Sequence, residues 1–93
     1  MKHLCYFSFS PGTETQTEAI RRFRESGGQI LAGVRLLGRW IRADFSGGVV
    51  LLESDNARAL TEFSLMWSDL MELEIVPVIE DEELLEALAH IGK

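Results

Sequence analysis

The chain has 93 residues, 46% of them hydrophobic, and carries 15 acidic against 9 basic side chains for a net charge of −6. That length makes one domain, and the acidic balance excludes a nucleic-acid partner, because phosphates are held by clustered Lys and Arg. No run approaches the ~18 apolar residues that a membrane span needs, so no membrane is expected as a partner. Lys2 is followed by an alternating segment rather than a continuous apolar stretch, so no secretory leader is expected either, and the cytoplasm is the expected location. A domain this small covers only about 60–65% of its surface on folding. So large an apolar share therefore predicts that some apolar surface is buried against a second chain.

Residues 3–9 read as the first strand, with Leu4 and Tyr6 on one parity and Cys5, Phe7 and Phe9 on the other. Apolar residues on both parities belong to a strand covered on both faces. Cys5 is the only cysteine; it permits no internal disulfide and is expected to pack as a small hydrophobe. Ser10-Pro11-Gly12 breaks the strand. Thr13 or Thr15 is the expected N-cap of a first helix whose apolar stripe, Ala19, Ile20 and Phe23, is narrow, and Gly27-Gly28 ends it. The neighbouring Arg21, Arg22 and Arg24 read as its solvated face.

Residues 34–42 form the second predicted strand, in which Arg35 and Arg39 alternate with apolar positions as on a sheet edge. Gly38 inside it predicts a bulge or a close approach by another group. A tight turn over residues 44–48 leads to the third strand, residues 48–53, whose Val49-Val50-Leu51-Leu52 run is again apolar on both parities. Ser54 or Asp55 is the expected cap of a second helix carrying Ala59, Leu60, Phe63, Met66 and Trp67, a stripe wide enough to face a sheet. Residues 70–79 alternate Met71, Leu73 and Ile75 with Glu72 and Glu74, and Pro77 suits an edge. Glu80 to Glu83 then place four acids at the start of a third helix, with Leu84, Leu85, Leu88 and Ile91 on one face.

Strand, helix, strand, strand, helix, strand and a C-terminal helix is the ferredoxin-like α+β plan. It predicts a four-stranded antiparallel sheet with helices on one face. The strand order 4-1-3-2 that this plan requires puts the two doubly apolar strands in the middle, where their composition independently places them. The helix-free face is expected to be buried in a homodimer.

No catalytic, metal or cofactor motif is recognisable, so no cofactor or metal is expected. The candidate ligand-binding residues are His3, Tyr6, Arg39, Trp40, Glu53, Trp67 and Asp69. His3 begins a central strand that could carry it to a cleft. Arg39 offers a planar fork suited to a carboxylate or enolate, and Trp40, on the opposite face of the strand, suits packing in the core or a dimer interface. Asp69 is either a partner for Arg39 or Arg35 or a general base with a raised pKa. Glu53 needs a cation, and Glu72 and Glu74 are either solvated or paired with Arg35 and Arg39 of a neighbouring chain. A pocket, if formed, is expected to be lined by Tyr6, Trp40, Trp67 and the aromatics of the second helix, an apolar lining with few polar groups.

Leu36-Leu37-Gly38-Arg39-Trp40, the acidic turn with Gly47-Gly48, and Trp67-Ser68-Asp69-Leu70 before Glu74, Pro77 and Val78 together resemble a family of small bacterial proteins, the domain-of-unknown-function family 3303. The resemblance covers about residues 3–88. That family is similar to the dimeric α/β-barrel superfamily, which implies two sheets packed face to face. A His often follows Gly-Arg-Trp in the family; here the position is Ile41. The superfamily includes cofactor-free monooxygenases, isomerases, haem enzymes and ligand-sensing modules, so the resemblance selects no single activity. The leading expectation is a dimeric small-molecule-binding protein with an apolar pocket. The alternatives are a protein-interaction or regulatory module working through its acidic exterior, a monooxygenase- or isomerase-like enzyme, and a structural dimer without ligand.

Overall fold

The structure, a computed structural model, describes residues 1–27 and 32–93. Its elements run β1 (Lys2–Phe9), α1 (Thr13–Ser26), β2 (Arg35–Ile41), β3 (Gly47–Glu53), α2 (Ala57–Trp67), β4 (Met71–Val78) and α3 (Asp81–His90). The strands form one antiparallel sheet in the order β2-β3-β1-β4, with β3 and β1 central. The predicted ferredoxin-like α+β plan and strand order are therefore those of the protein.

Strand register sorts the side chains into two faces. One face carries Cys5, Val50 and Leu52, all buried, with Phe7, Phe9, Leu36, Leu73 and Ile75 packed against them. α2 lies on this face and buries Ala59, Leu60, Phe63 and Trp67. α1 buries only Ala19, as its narrow stripe implies. The other face carries ladders of paired positions: Trp40, Val49, Tyr6 and Glu74 in one row, and Gly38, Leu51, Leu4 and Val76 in the next. Tyr6 is 48% and Trp40 57% exposed. Nothing in the described chain covers them.

Local chemistry explains where the elements begin and end. Gly27 closes α1 in the left-handed conformation (φ 67°), its N–H donating to the Phe23 carbonyl; the expected contribution of Gly28 lies outside the described residues. At the N-terminus of α1, Gly12 occupies the cap position with φ 116° and no side chain caps it, so neither Thr13 nor Thr15 has the expected role. α2 is capped by Asn56 rather than Ser54 or Asp55. The Ser54 hydroxyl is already engaged, donating to the Gly33 carbonyl at 2.5 Å and accepting from the Asn56 N–H at 3.0 Å. That turn advances Asn56 to the cap, where its Oδ1 accepts from the Ala59 N–H at 3.1 Å. Gly38 fulfils both readings of its position: the β2–β3 register shifts between Leu36 and Gly38, and the Trp40 ring lies so close over it that a Cβ there would meet the ring at 2.4 Å.

α3 stands apart. None of its residues is buried, Leu85 is 65% exposed, and Ile79, Leu84 and Ile91 are open to solvent as well. The radius of gyration, 15.5 Å, exceeds the roughly 12 Å that a compact chain of this length adopts. Lys2 Nζ reaches Glu80 at 2.5 Å near the base of this arm.

Candidate functional site

The shallow seating of α1 leaves a cavity of about 390 Å³ between this helix and the helix-facing side of the sheet. Its floor is Cys5, Val50, Phe63 and Trp67; Phe7, Phe9, Met71 and Leu73 extend it, and Ile20, Phe23, Ile41 and Phe45 form the more exposed rim. Among the described residues the only charged groups in its lining are Arg24 and Arg39, and no carboxylate lines it.

Each rim residue is placed for a reason. Arg39 pairs with Val50 in the β2–β3 register, so strand parity turns it toward the helices. Its guanidinium lies 5.2 Å from the centre of the Phe23 ring, a cation–π contact from β2 to α1. Burial pulls its pKa below the ordinary arginine value, yet an arginine keeps its charge at any physiological pH. Phe45 holds a left-handed backbone (φ 57°), unusual for a large side chain. The Asp44 carboxylate stabilises that turn, accepting from the Ser46 N–H at 3.1 Å and the Ser46 hydroxyl at 2.7 Å. The strained turn delivers the Phe45 ring onto Phe9, stacked at 4.9 Å. Cys5 on the floor is no nucleophile: burial pushes its thiol up to about 11, so the reactive thiolate is scarce at neutral pH.

α1 is tied down chiefly by Arg22. Its Nη1 donates to the Met66 carbonyl and to Asp69 Oδ1, both at 3.1 Å, and its Nη2 to Asp69 Oδ2 at 2.5 Å. The same guanidinium sits 5.9 Å from the Trp67 ring centre. Arg21, by contrast, pairs with Glu18 and Glu25 on the outer surface. The three arginines thus divide: Arg21 is solvated as expected, Arg22 joins α1 to the end of α2, and Arg24 lines the cavity. The sequence held a signal for Arg22, which lies one helical turn from Ala19 on the buried stripe.

Of the candidate residues, Arg39 and Trp67 meet at this cavity. Tyr6 and Trp40 do not share it, because they sit on the opposite sheet face from α2 and hence from Trp67. Asp69 pairs with Arg22 rather than Arg39 or Arg35, and the bidentate contact holds its carboxyl below the usual range. A base with a raised pKa is therefore not what this carboxylate is. Glu53 opposes Arg35 across β2–β3, 3.9 Å away. His3 is 8% exposed; its Nε2 lies 3.2 Å from the Ser54 carbonyl, so that nitrogen carries the proton, and Nδ1 has no partner among the described residues. It faces a second, shallower recess with Leu60, Thr61, Ser64 and Pro77. Sequence reasoning missed Arg24, Phe45 and the aromatics of β1 as cavity walls. Among the described residues, no group of three or more His, Cys, Asp or Glu is placed to hold a metal, and no helix is long and apolar enough to cross a membrane.

Fold and site together define a ferredoxin-like α+β domain with an apolar, doubly cationic cavity under its first helix. Its family follows: the family described as Domain of unknown function (DUF3303) matches residues 1–92, and the chain belongs to it. A search among curated proteins returned no match.

The Arg22–Asp69 pair makes α1 docking pH-dependent in a stated direction. A carboxyl whose folded pKa lies below its ordinary 3.8 stabilises the fold above that value and loses the contribution as the pH falls through the folded pKa. Because Asp69 is 56% exposed, the contribution is under about 1 kcal/mol. Urea denaturation is expected to find Asp69→Asn less stable than the parent near pH 7, with the gap narrowing as the pH falls below 3.8. A gap that persists at low pH would show that the carboxylate charge is not what binds α1.

Proposed function

We propose that the protein binds a small, largely apolar molecule in the cavity under α1, and that it works as a homodimer joined through the helix-free face of its sheet. The cavity carries the first part of this reading. Its volume, about 390 Å³, falls within the ~300–1,000 Å³ of small-molecule sites, whereas packed interiors leave few voids larger than a water molecule. Its lining is aromatic and aliphatic, with few polar groups to fix orientation.

Two features support the dimer. Leu4, Val49, Leu51 and Val76 form a continuous apolar strip on the open face, flanked by the exposed Tyr6 and Trp40 rings, and apolar patches of this kind mark interaction surfaces. The rim is also self-complementary. Glu72 and Glu74 lie along the β4 edge, while Arg35 begins β2 at the opposite edge and Arg42 follows its last residue. A two-fold axis parallel to the strands stacks β4 of one chain over β2 of the other and brings Glu72 level with Arg42 of the partner subunit in both halves. This arrangement is similar to that of the dimeric α/β-barrel superfamily. A second reading, a protein-interaction module, is supported by the exposed apolar side of α3 with its acidic first turn.

Two experiments test these claims. 1-Aminonaphthalene, a dye of about a dozen non-hydrogen atoms that is neutral at pH 7 and whose emission responds to an apolar site, is expected to bind the wild-type chain. Ile20→Trp, which fills the cavity from its half-exposed rim, should weaken that binding by about fivefold or more while Tm moves by no more than a few degrees. Unchanged dye binding by a folded Ile20→Trp would contradict the cavity reading. For the assembly, light scattering is expected to find Tyr6→Asp monomeric or aggregated where the parent is dimeric. A stable Tyr6→Asp dimer would contradict the assigned interface.

A further inference from the structure

We propose that the cavity's ligand is a planar, bicyclic aromatic molecule, held among the phenylalanine rings of β1, α1, α2 and the turn between β2 and β3. This rests on the small-molecule reading above and specifies the chemistry of that site.

The distribution of rings in the chain carries the first line. There are five Phe residues, and Phe7, Phe9, Phe23, Phe45 and Phe63 all line this one cavity, with Trp67 beside them. They arrive from four separate parts of the chain: β1, α1, the β2–β3 turn and α2. Leucine is the commonest apolar residue in the sequence, yet among the described residues it contributes only Leu73 to the lining. A wall built for apolarity alone draws on leucine as readily as on phenylalanine; this one selects rings. The Met71 thioether in the same lining also makes favourable contacts with ring edges. Molecules that are polar along their length would bury unpaired groups here, which is unfavourable.

The geometry of the rings adds a second line. Phe7 meets Phe9 edge to face, with centroids 6.0 Å apart at 78°, and Phe9 stacks on Phe45 at 4.9 Å and 27°. Edge-to-face and stacked contacts are the arrangements that the ring quadrupole favours. The backbone makes concessions to reach them. Phe45 takes a positive φ of 57°. Gly48, paired with Phe7, leaves open a place where a Cβ would meet the Trp40 carbonyl at 2.2 Å and the tip of the Phe7 ring at 2.7 Å. A flat aromatic ligand continues either contact pattern, whereas a puckered saturated ring offers neither a π-face nor an electropositive edge. Among the described residues the lining has two arginines and no carboxylate, which disfavours a cationic ligand and suits the negative face of a π-system. The volume sets the size: about 390 Å³ accommodates on the order of a dozen non-hydrogen atoms at ~30 Å³ each, two fused rings with a small substituent.

The test compares 2-naphthalenemethanol with its fully hydrogenated counterpart, which has the same skeleton and hydroxyl and no π-system. Both are titrated calorimetrically into the full chain, Phe45→Leu and Phe9→Leu. The saturated alcohol is the more apolar of the two, so a site that reads apolarity alone binds it at least as tightly. The aromatic alcohol is instead expected to bind about fivefold or more tightly than the saturated one. Phe45→Leu, at the half-buried rim, keeps an apolar side chain and removes a ring. It should bring the two affinities within about twofold of each other, with the saturated alcohol within about twofold of its wild-type value. Phe9→Leu should narrow the preference in the same direction and serves where Phe45→Leu does not fold. Equal or tighter binding of the saturated alcohol, or a preference unchanged in both variants, would overturn the aromatic assignment and leave the cavity reading standing. Binding of neither compound up to about 1 mM would overturn the cavity reading itself.

Discussion

The two central strands are apolar on both of their faces, and neither face of the sheet can be left in water without cost. β1 presents Cys5, Phe7 and Phe9 to one side and Leu4 and Tyr6 to the other; β3 does the same with Val50 and Leu52 against Val49 and Leu51. Fully burying a side chain the size of Val, Leu or Phe is worth about 1.5–3 kcal/mol. Covering one side therefore outweighs any polar contact in the domain, and it decides where α2 goes. Once α2 has taken the side of Cys5 and Leu52, no described helix covers the other side, and Leu84 and Leu85 of α3 stay exposed rather than packing there. The charged edges follow from the same constraint: β2 and β4, each paired on one flank only, carry Arg35, Arg39, Glu72 and Glu74, whereas the central strands carry charge only at their ends, at Lys2 and Glu53.

α1 is held differently from α2, and the cavity is the consequence. α2 docks by its apolar stripe, four buried residues against the sheet. α1 has one, Ala19, and relies instead on Arg22 reaching Asp69 and on Phe23 lying over Arg39. Such contacts act at arm's length, because a guanidinium on an extended side chain spans a gap that a packed Leu would close. Phe9, Phe45 and Phe63 line the opened space without filling it. A left-handed backbone at a non-glycine residue costs roughly 1–2 kcal/mol; at Phe45 that strain is concentrated at the rim of the candidate site, a pattern common where geometry serves function.

Periodicity carries the fold because strand parity and helix spacing are properties of the sequence itself. Two doubly apolar strands in a βαββαβ order have one consistent arrangement, and Gly38 and Glu53 could be read from position alone. Less of the site was legible, for identifiable reasons. Tyr6, Trp40 and Trp67 look alike as aromatic residues, and only the docking of α2 on the Cys5 side separates the first two from the third. Arg21, Arg22 and Arg24 are near neighbours with one chemistry, and their three fates depend on a rotation of α1 that its single buried alanine barely fixes. The cap of α2 fell among Ser54, Asp55 and Asn56, all good capping residues, and was decided by a hydroxyl contact to Gly33 that no local rule contains. The positive φ of Phe45 has no sequence signal at all.

The sheet's two-sided demand for cover is the centre of this account, and a native mass spectrum of the untagged protein from its own host tests it most directly. The account predicts a mass of two chains of 10.5 kDa each, with a reproducible small adduct on each chain. A spectrum of the bare single chain across the accessible concentration range would contradict it, because the open face would then be stable in water without a partner.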